Sequence, residues 1–184
     1  MYNVTINTPF EDKTANFMDK GIHENVVLDR IEAGTSKNDN EFIAFYFIGS
    51  NGEKGSHTEY KPKHEDPAKL AEKELNQISR IKQIATCFIP EEKFVFSANS
   101  FKEFVNKTIS LIGDSYKDVK LRVKMVYSGK YTSLPSYWKF RFIERMDAER
   151  KITWMSIDEK DRVTSDPIPS VTNPFDTNEN PFKQ

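Results

Sequence analysis

The hydrophobic period of the chain changes twice, and this constrains the fold more than any other feature. From Gly21 to Tyr60 the apolar residues follow strand-like spacing. From Pro67 to Ile112 they recur at three and four. From Lys120 to Phe142 they alternate again. The first strand is expected over Gly21–Ile31, where the consecutive Val26-Val27-Leu28 breaks alternation and suggests a bulge or a strand serving two faces. After the turn-rich run 34–40, a second strand is expected over Glu41–Ile48. Ser50-Asn51-Gly52 then signals a hairpin into a third, about Lys54–Tyr60. Asp66 as cap and Pro67 at the first helical position open a helix running to about Cys87, with Ala71, Leu75, Ile78, Ile81, Ala85 and Phe88 as its apolar stripe. Ser100 and Glu103 form a capping box for a second helix, stopped by Gly113. In a fourth strand Leu121, Val123 and Met125 are expected inside, with Arg122 and Lys124 on the solvent face. In a fifth, over Tyr137–Phe142, Trp138, Phe140 and Phe142 are expected inside, with Lys139 and Arg141 outside. Ile152–Met155 can add another short strand.

Charge is unevenly spread. The formal total is −1, from 27 Lys+Arg against 28 Asp+Glu. Yet Tyr116–Lys151 holds ten basic and four acidic residues, a segment charge of +6. From Val163 onward apolar density collapses and the charge is −2, so 163–184 reads as a flexible acidic tail. A polyanion responds to the local field, so a neutral total does not exclude a nucleic-acid surface. Hydrophobic residues make up only 37% while aromatics reach 12%, which leaves rings over for work outside the core.

Three strands, a helical segment and two strands is the layout of an OB-fold, a five-stranded barrel that binds oligonucleotides on its second and third strands and on loops one-two and four-five. The fold class expected is therefore mainly β with a helical insertion (α+β). It comprises an arm (1–20), an OB-fold domain (21–162) with an insertion at 66–113, and the tail. Gly21–Leu28, followed by Ser36-Lys37-Asn38-Asp39-Asn40-Glu41 and Phe42–Phe47, resembles the opening strands of phage-type single-stranded DNA-binding proteins. The resemblance covers roughly 21–161 by layout, plus the polar acidic tail with its late phenylalanine. The bacterial tail pattern ends in a terminal Pro-Phe, whereas here Lys183-Gln184 follow Phe182. What the resemblance implies is sequence-independent coating of single-stranded DNA in replication or recombination, with the tail recruiting partner proteins.

Binding single strands without sequence preference needs cations along the phosphates and rings on which bases stack. Lys130, Tyr131 and Tyr137 lie in or beside the four-five loop, flanked by Arg122, Lys124, Lys139 and Arg141. In the second strand, Ile43, Phe45 and Phe47 are assigned to the core, leaving Phe42 and Tyr46 outward, either stacking bases or covered by helices or arm. Lys37 in the one-two loop can clamp a phosphate or stand as a solvated lysine. In the tail, Asn173-Pro174-Phe175 and Asn180-Pro181-Phe182 present Phe175 and Phe182 as bait for a partner, or for the protein's own groove. An OB-like protein-interaction adaptor and an RNA-binding OB protein are the competing readings.

Enzymatic readings find little support. There is no Gly-rich phosphate loop or nucleophile elbow. His57 and His64 are read as solvent-facing rather than as metal ligands, and the lone Cys87 as a core thiol. No cofactor or metal is expected. With no apolar run near ~20 residues and no secretory pattern at the start, no membrane partner and a cytoplasmic location are expected.

Overall fold

The computed structural model describes residues 16–146, 153–158 and 161. Its strands are β1 (Gly21–Thr35), β2 (Glu41–Ile48), β3 (Lys54–Tyr60), β4 (Lys120–Ser128), β5 (Tyr131–Ser133) and β6 (Ile143–Arg145). The helices α1 (Pro67–Ala85) and α2 (Phe101–Ile112) lie between β3 and β4. The protein is an α+β chain built on an antiparallel sheet in the order β3-β2-β1-β4-β5, with β6 also paired to β4.

β1 is long because it serves two neighbours. Its first half pairs with β4 and its second half with β2, and Val27 lies opposite both Lys120 and Ile48. Register shifts at His23/Val26 and Leu28/Arg30 flank this crossover, and Asn25 adopts φ 56° there. Bulges of this kind bend a strand and let it pass from one neighbour to the next. The Asn-Gly hairpin forms as its sequence demands. Gly52 takes φ 82°, and the Glu53 carboxylate accepts from the Asn51 backbone N–H at 3.0 Å.

Both helices start at their caps. Asp66 accepts from Ala68 N–H at 2.9 Å, and Ser100 accepts from Glu103 N–H at 3.2 Å. Helix α1 closes at Ala85, two residues before Cys87, and buries Gln77, Ile81, Ile84 and Ala85. Leu75 and Ile78, expected in its apolar stripe, are exposed. The core draws Val26 and Leu28 from β1, Ile43, Phe45 and Phe47 from β2, and Leu121, Val123 and Met125 from β4. Each such side chain contributes about 1.5–3 kcal/mol on full burial. Met18, read as part of an arm, is also buried, because Met18 N–H donates to the Lys54 carbonyl at 2.9 Å and draws 16–18 alongside β3.

The fifth strand differs from expectation. Tyr137–Phe142 does alternate, but it forms no ladder. Instead Tyr131–Ser133 folds straight back on Tyr127 and its neighbours across a turn at Gly129, which takes φ 64°. The later pairing to β4 is made by Ile143–Arg145. As a result Phe140 is exposed, not inside. The proposed strand at 152–155 also fails: Thr153–Met155 is irregular, and Ile152 lies outside the described residues.

Candidate nucleic-acid interface

The register of β1–β3 places Arg30, Tyr46 and Ser56 in one row across the sheet, and Gly34, Phe42 and Tyr60 in another. These rows lie on the face opposite Ile43, Phe45 and Phe47. Tyr60 is exposed, and its ring stands 6.1 Å from that of Phe42 in a tilted pair. Phe42 and Tyr46 are only half-buried, so the outward assignment places them correctly, although neither ring is bare. The Arg30 guanidinium covers Tyr46 at 3.8 Å from the ring centre. Arg30 is itself held by Asp29 at 2.7 Å and Glu32 at 2.6 Å. Burial and a hydrogen bond with Glu32 raise the Tyr46 phenol above its usual range. Lys37 is exposed in the turn between β1 and β2. This face therefore carries rings, but its central cation is already engaged.

Two of the anticipated phosphate contacts are internal. Arg122 is 5% exposed and Lys124 is 1% exposed. Arg122 pairs with Glu144 at 2.5 Å and Glu24 at 2.8 Å. Lys124 pairs with Asp161 at 2.5 Å and donates to the Ser156 carbonyl. Burial would raise the Asp161 carboxyl, but Lys124 and its other donors outweigh that and hold it below the ordinary range. Alternation correctly put Arg122 and Lys124 on the face opposite Leu121 and Val123. That face, however, meets Glu24, Glu144, Ser156 and Asp161. Both cations are spent in the fold.

Other cations remain on the surface. Lys130, Lys139 and Arg141 are exposed, and none has a carboxylate within ion-pairing distance among the described residues. Beside them stand Tyr131, 80% exposed, and Phe140, 60% exposed. Tyr137 is half-buried and fixed. Its hydroxyl donates to Asp161 at 3.0 Å, and its ring meets Phe140 edge-on at 5.9 Å between centres. Tyr137 thus supports Phe140 more than it offers a free face.

Two grooves flank α1. One, of about 560 Å³, runs between α1 and the stretch 138–145, with Lys82, Trp138, Lys139, Phe140 and Arg141 in its walls. The other, of about 690 Å³, is lined by Ile78, Phe94, Val95, Phe96 and Phe104. Lys82, Tyr60 and an outward Phe140 escaped the sequence reading. Lys82 sits in the α1 run that is also read for its apolar stripe, Tyr60 ends a third strand whose faces are not assigned, and Phe140 is assigned inside.

His57 is buried, not solvent-facing. Its Nδ1 lies 3.0 Å from Ser133 Oγ on β5, and its Nε2 lies 2.9 Å from Glu59 Oε1. Arg80 and Gln77 of α1 close on the same carboxylate. The Ser–His–Glu order invites comparison with a hydrolytic relay. Yet Glu59 is clamped by a guanidinium, and neither groove reaches Ser133. The arrangement links β3, β5 and α1.

Cys87 is buried, as its sequence context suggested, and burial pushes its thiol up to about 12. No group of three or more His, Cys, Asp or Glu positioned to hold a metal occurs among the described residues. No helix among them is long and apolar enough to cross a membrane. Phe175 and Phe182 lie outside the described residues. No family model matches the chain, and no curated protein matches it by sequence.

Proposed function

We propose that this chain is a single-stranded DNA-binding protein of the OB-fold type, coating strands without sequence preference during phage replication or recombination. Support for the OB-type barrel comes from the β1-β2-β3 meander, the helices set between β3 and β4, and a bent β1 shared between β2 and β4. The contact from His57 to Ser133, between β3 and β5 at opposite ends of the strand order, supports the reading of a closing barrel.

The observation that carries the functional reading is the pairing of exposed cations, which have no ion-pair partner among the described residues, with exposed rings. Lys130 adjoins Tyr131, and Lys139 and Arg141 bracket Phe140, all of them exposed. Exposed rings next to exposed cations answer both demands of single-strand binding, with each stacked base worth about 1–3 kcal/mol. Lys37 extends the positive field at the loop between β1 and β2. The acidic tail, with Phe175 and Phe182, recruits partner proteins of replication or recombination.

The test is a gel shift of the full-length and 1–162 proteins with single- and double-stranded probes at two salt concentrations. A shift specific to single strands, weakened by salt, is expected. Absence of any shift at low salt, with and without the tail, overturns the reading. Equal-length RNA as competitor separates DNA from RNA preference. A second reading, an interaction adaptor, draws on the apolar groove beside α1, where Val95 is 78% exposed. It predicts a stable protein complex and no shift of labelled strands.

A further inference from the structure

An OB-type barrel ordinarily offers the outer face of its second and third strands to nucleic acid. Here that face carries one exposed cation with no ion-pair partner among the described residues, Lys54 on β3. Arg30 is held by Asp29 and Glu32, and Lys61 by Glu41 at 2.9 Å. The groove between α1 and 138–145 brings more cations together. Its volume of about 560 Å³ falls within the ~300–1,000 Å³ typical of ligand clefts. Lys82 comes from α1, and Lys139 and Arg141 come from the facing stretch, which also contributes Trp138 and Phe140 to the lining. Of its two carboxylates, Glu144 is already neutralised by Arg122 at 2.5 Å. Glu91 pairs with Lys82 at 2.7 Å, and its side chain is 71% exposed, against 37% for Asp29 and 45% for Glu32 beside Arg30, so solvent screens this pair more.

The groove is also built in advance. Gln83 Nε2 donates to the Trp138 carbonyl at 2.6 Å, and Arg80 Nη1 donates to the Ser136 carbonyl at 2.8 Å, tying the 136–138 backbone to α1 at two points. Tyr137, anchored on Asp161, supports the Phe140 ring from behind. A preformed wall avoids the ordering cost that a mobile loop would incur on binding.

We infer that single-stranded DNA runs through this groove along α1, with a base stacked on Phe140 and phosphates on Lys82, Lys139 and Arg141, rather than across the outer face of β1–β3. The inference rests on the single-strand reading above and gives that activity a route which uses the helical insertion as one wall.

The chain has two tryptophans, so Trp154→Phe leaves Trp138 as sole reporter inside the groove. Titration of that full-length variant with oligo-dT at low salt is expected to change Trp138 emission saturably. Adding Phe140→Ala with Arg141→Ala is expected to raise Kd about tenfold or more, whereas Tyr60→Ala with Arg30→Ala changes it less than about twofold. All four substituted side chains are substantially exposed, and an unchanged melting temperature confirms folding. Tight binding with a silent Trp138, or a larger loss from the Tyr60 and Arg30 pair, overturns the groove and leaves the DNA-binding function standing. No binding by any variant, the parent included, overturns both.

Discussion

Glu59 offers the sharpest test of how the fold is held. Its carboxylate is 5% exposed and receives Arg80 Nε at 2.5 Å, Arg80 Nη2 at 2.8 Å and Gln77 Nε2 at 3.1 Å, with His57 Nε2 at 2.9 Å. Burial pushes its pKa upward, but the hydrogen bonds and charges of Arg80 and His57 outweigh burial and bring it to about 2, against an ordinary 4.5. At about 1.4 kcal/mol per unit, that difference is worth about 3 kcal/mol. Because the folded value is the lower one, the stabilisation is complete above about pH 4.5 and is lost as pH falls toward 2. Glu59→Gln keeps the shape but leaves Arg80 with no anionic partner in a largely buried site. Breaking one end of a buried pair costs about 3–5 kcal/mol. Urea unfolding followed by circular dichroism should therefore show a gap of about that size between wild type and variant near pH 7. The gap should narrow by about 2 kcal/mol by about pH 3. Adding Arg80→Met should recover much of the loss, since the stranded cation is removed with its partner. A gap under about 1 kcal/mol at neutral pH, or one that does not change with pH, refutes the assignment of Glu59 as the ionic link between β3 and α1.

Three further outcomes follow from the same geometry. Lys124→Met should cost about 3–5 kcal/mol in chemical denaturation, because it strands the Asp161 carboxylate beside β4. The loss should exceed that of Lys130→Met, which removes only an exposed charge. Cys87, its thiol pushed up to about 12 by burial, should resist a thiol reagent near neutral pH in the native protein and react promptly in denaturant. The affinity for single strands should fall log-linearly with salt, and Lys139→Ala and Arg141→Ala should each reduce the slope by about 0.7. Arg122→Ala, whose guanidinium is internal, should act through stability instead.

Much of the architecture was legible locally. The caps Asp66 and Ser100, the Asn-Gly turn and the alternation of β2 depend on a few adjacent residues, and each forms where the sequence places it. The division of β2 into an inner set at 43, 45 and 47 and an outer set at 42 and 46 was likewise readable, because one set is more purely apolar. The candidate site was legible in part. Lys130, Tyr131, Lys139 and Arg141 lie on the surface, where the basic aromatic run suggested. Phe140, Lys82 and the groove they help form were not foreseen. The fifth strand was misplaced because Tyr137–Phe142 has the period of a strand but is held at Ser136 and Trp138 by α1 side chains, and a closer partner for β4 lies at Tyr131–Ser133.

Sequence alone determined which residues share a face, because the two-residue and 3.6-residue periods are properties of the backbone. Only the tertiary structure decided what covers each face. Arg122 and Lys124 have the same local pattern as a solvated basic strand. They became core ion pairs because Glu24, Glu144, Ser156 and Asp161 arrive from distant parts of the chain. Likewise His57, bonded to its near neighbour Glu59, became part of a link between elements only because Ser133 on another strand and Arg80 on α1 arrive from distant parts of the chain. A charge gives up its hydration for a partner only where the fold supplies one, and no period in the sequence encodes that meeting.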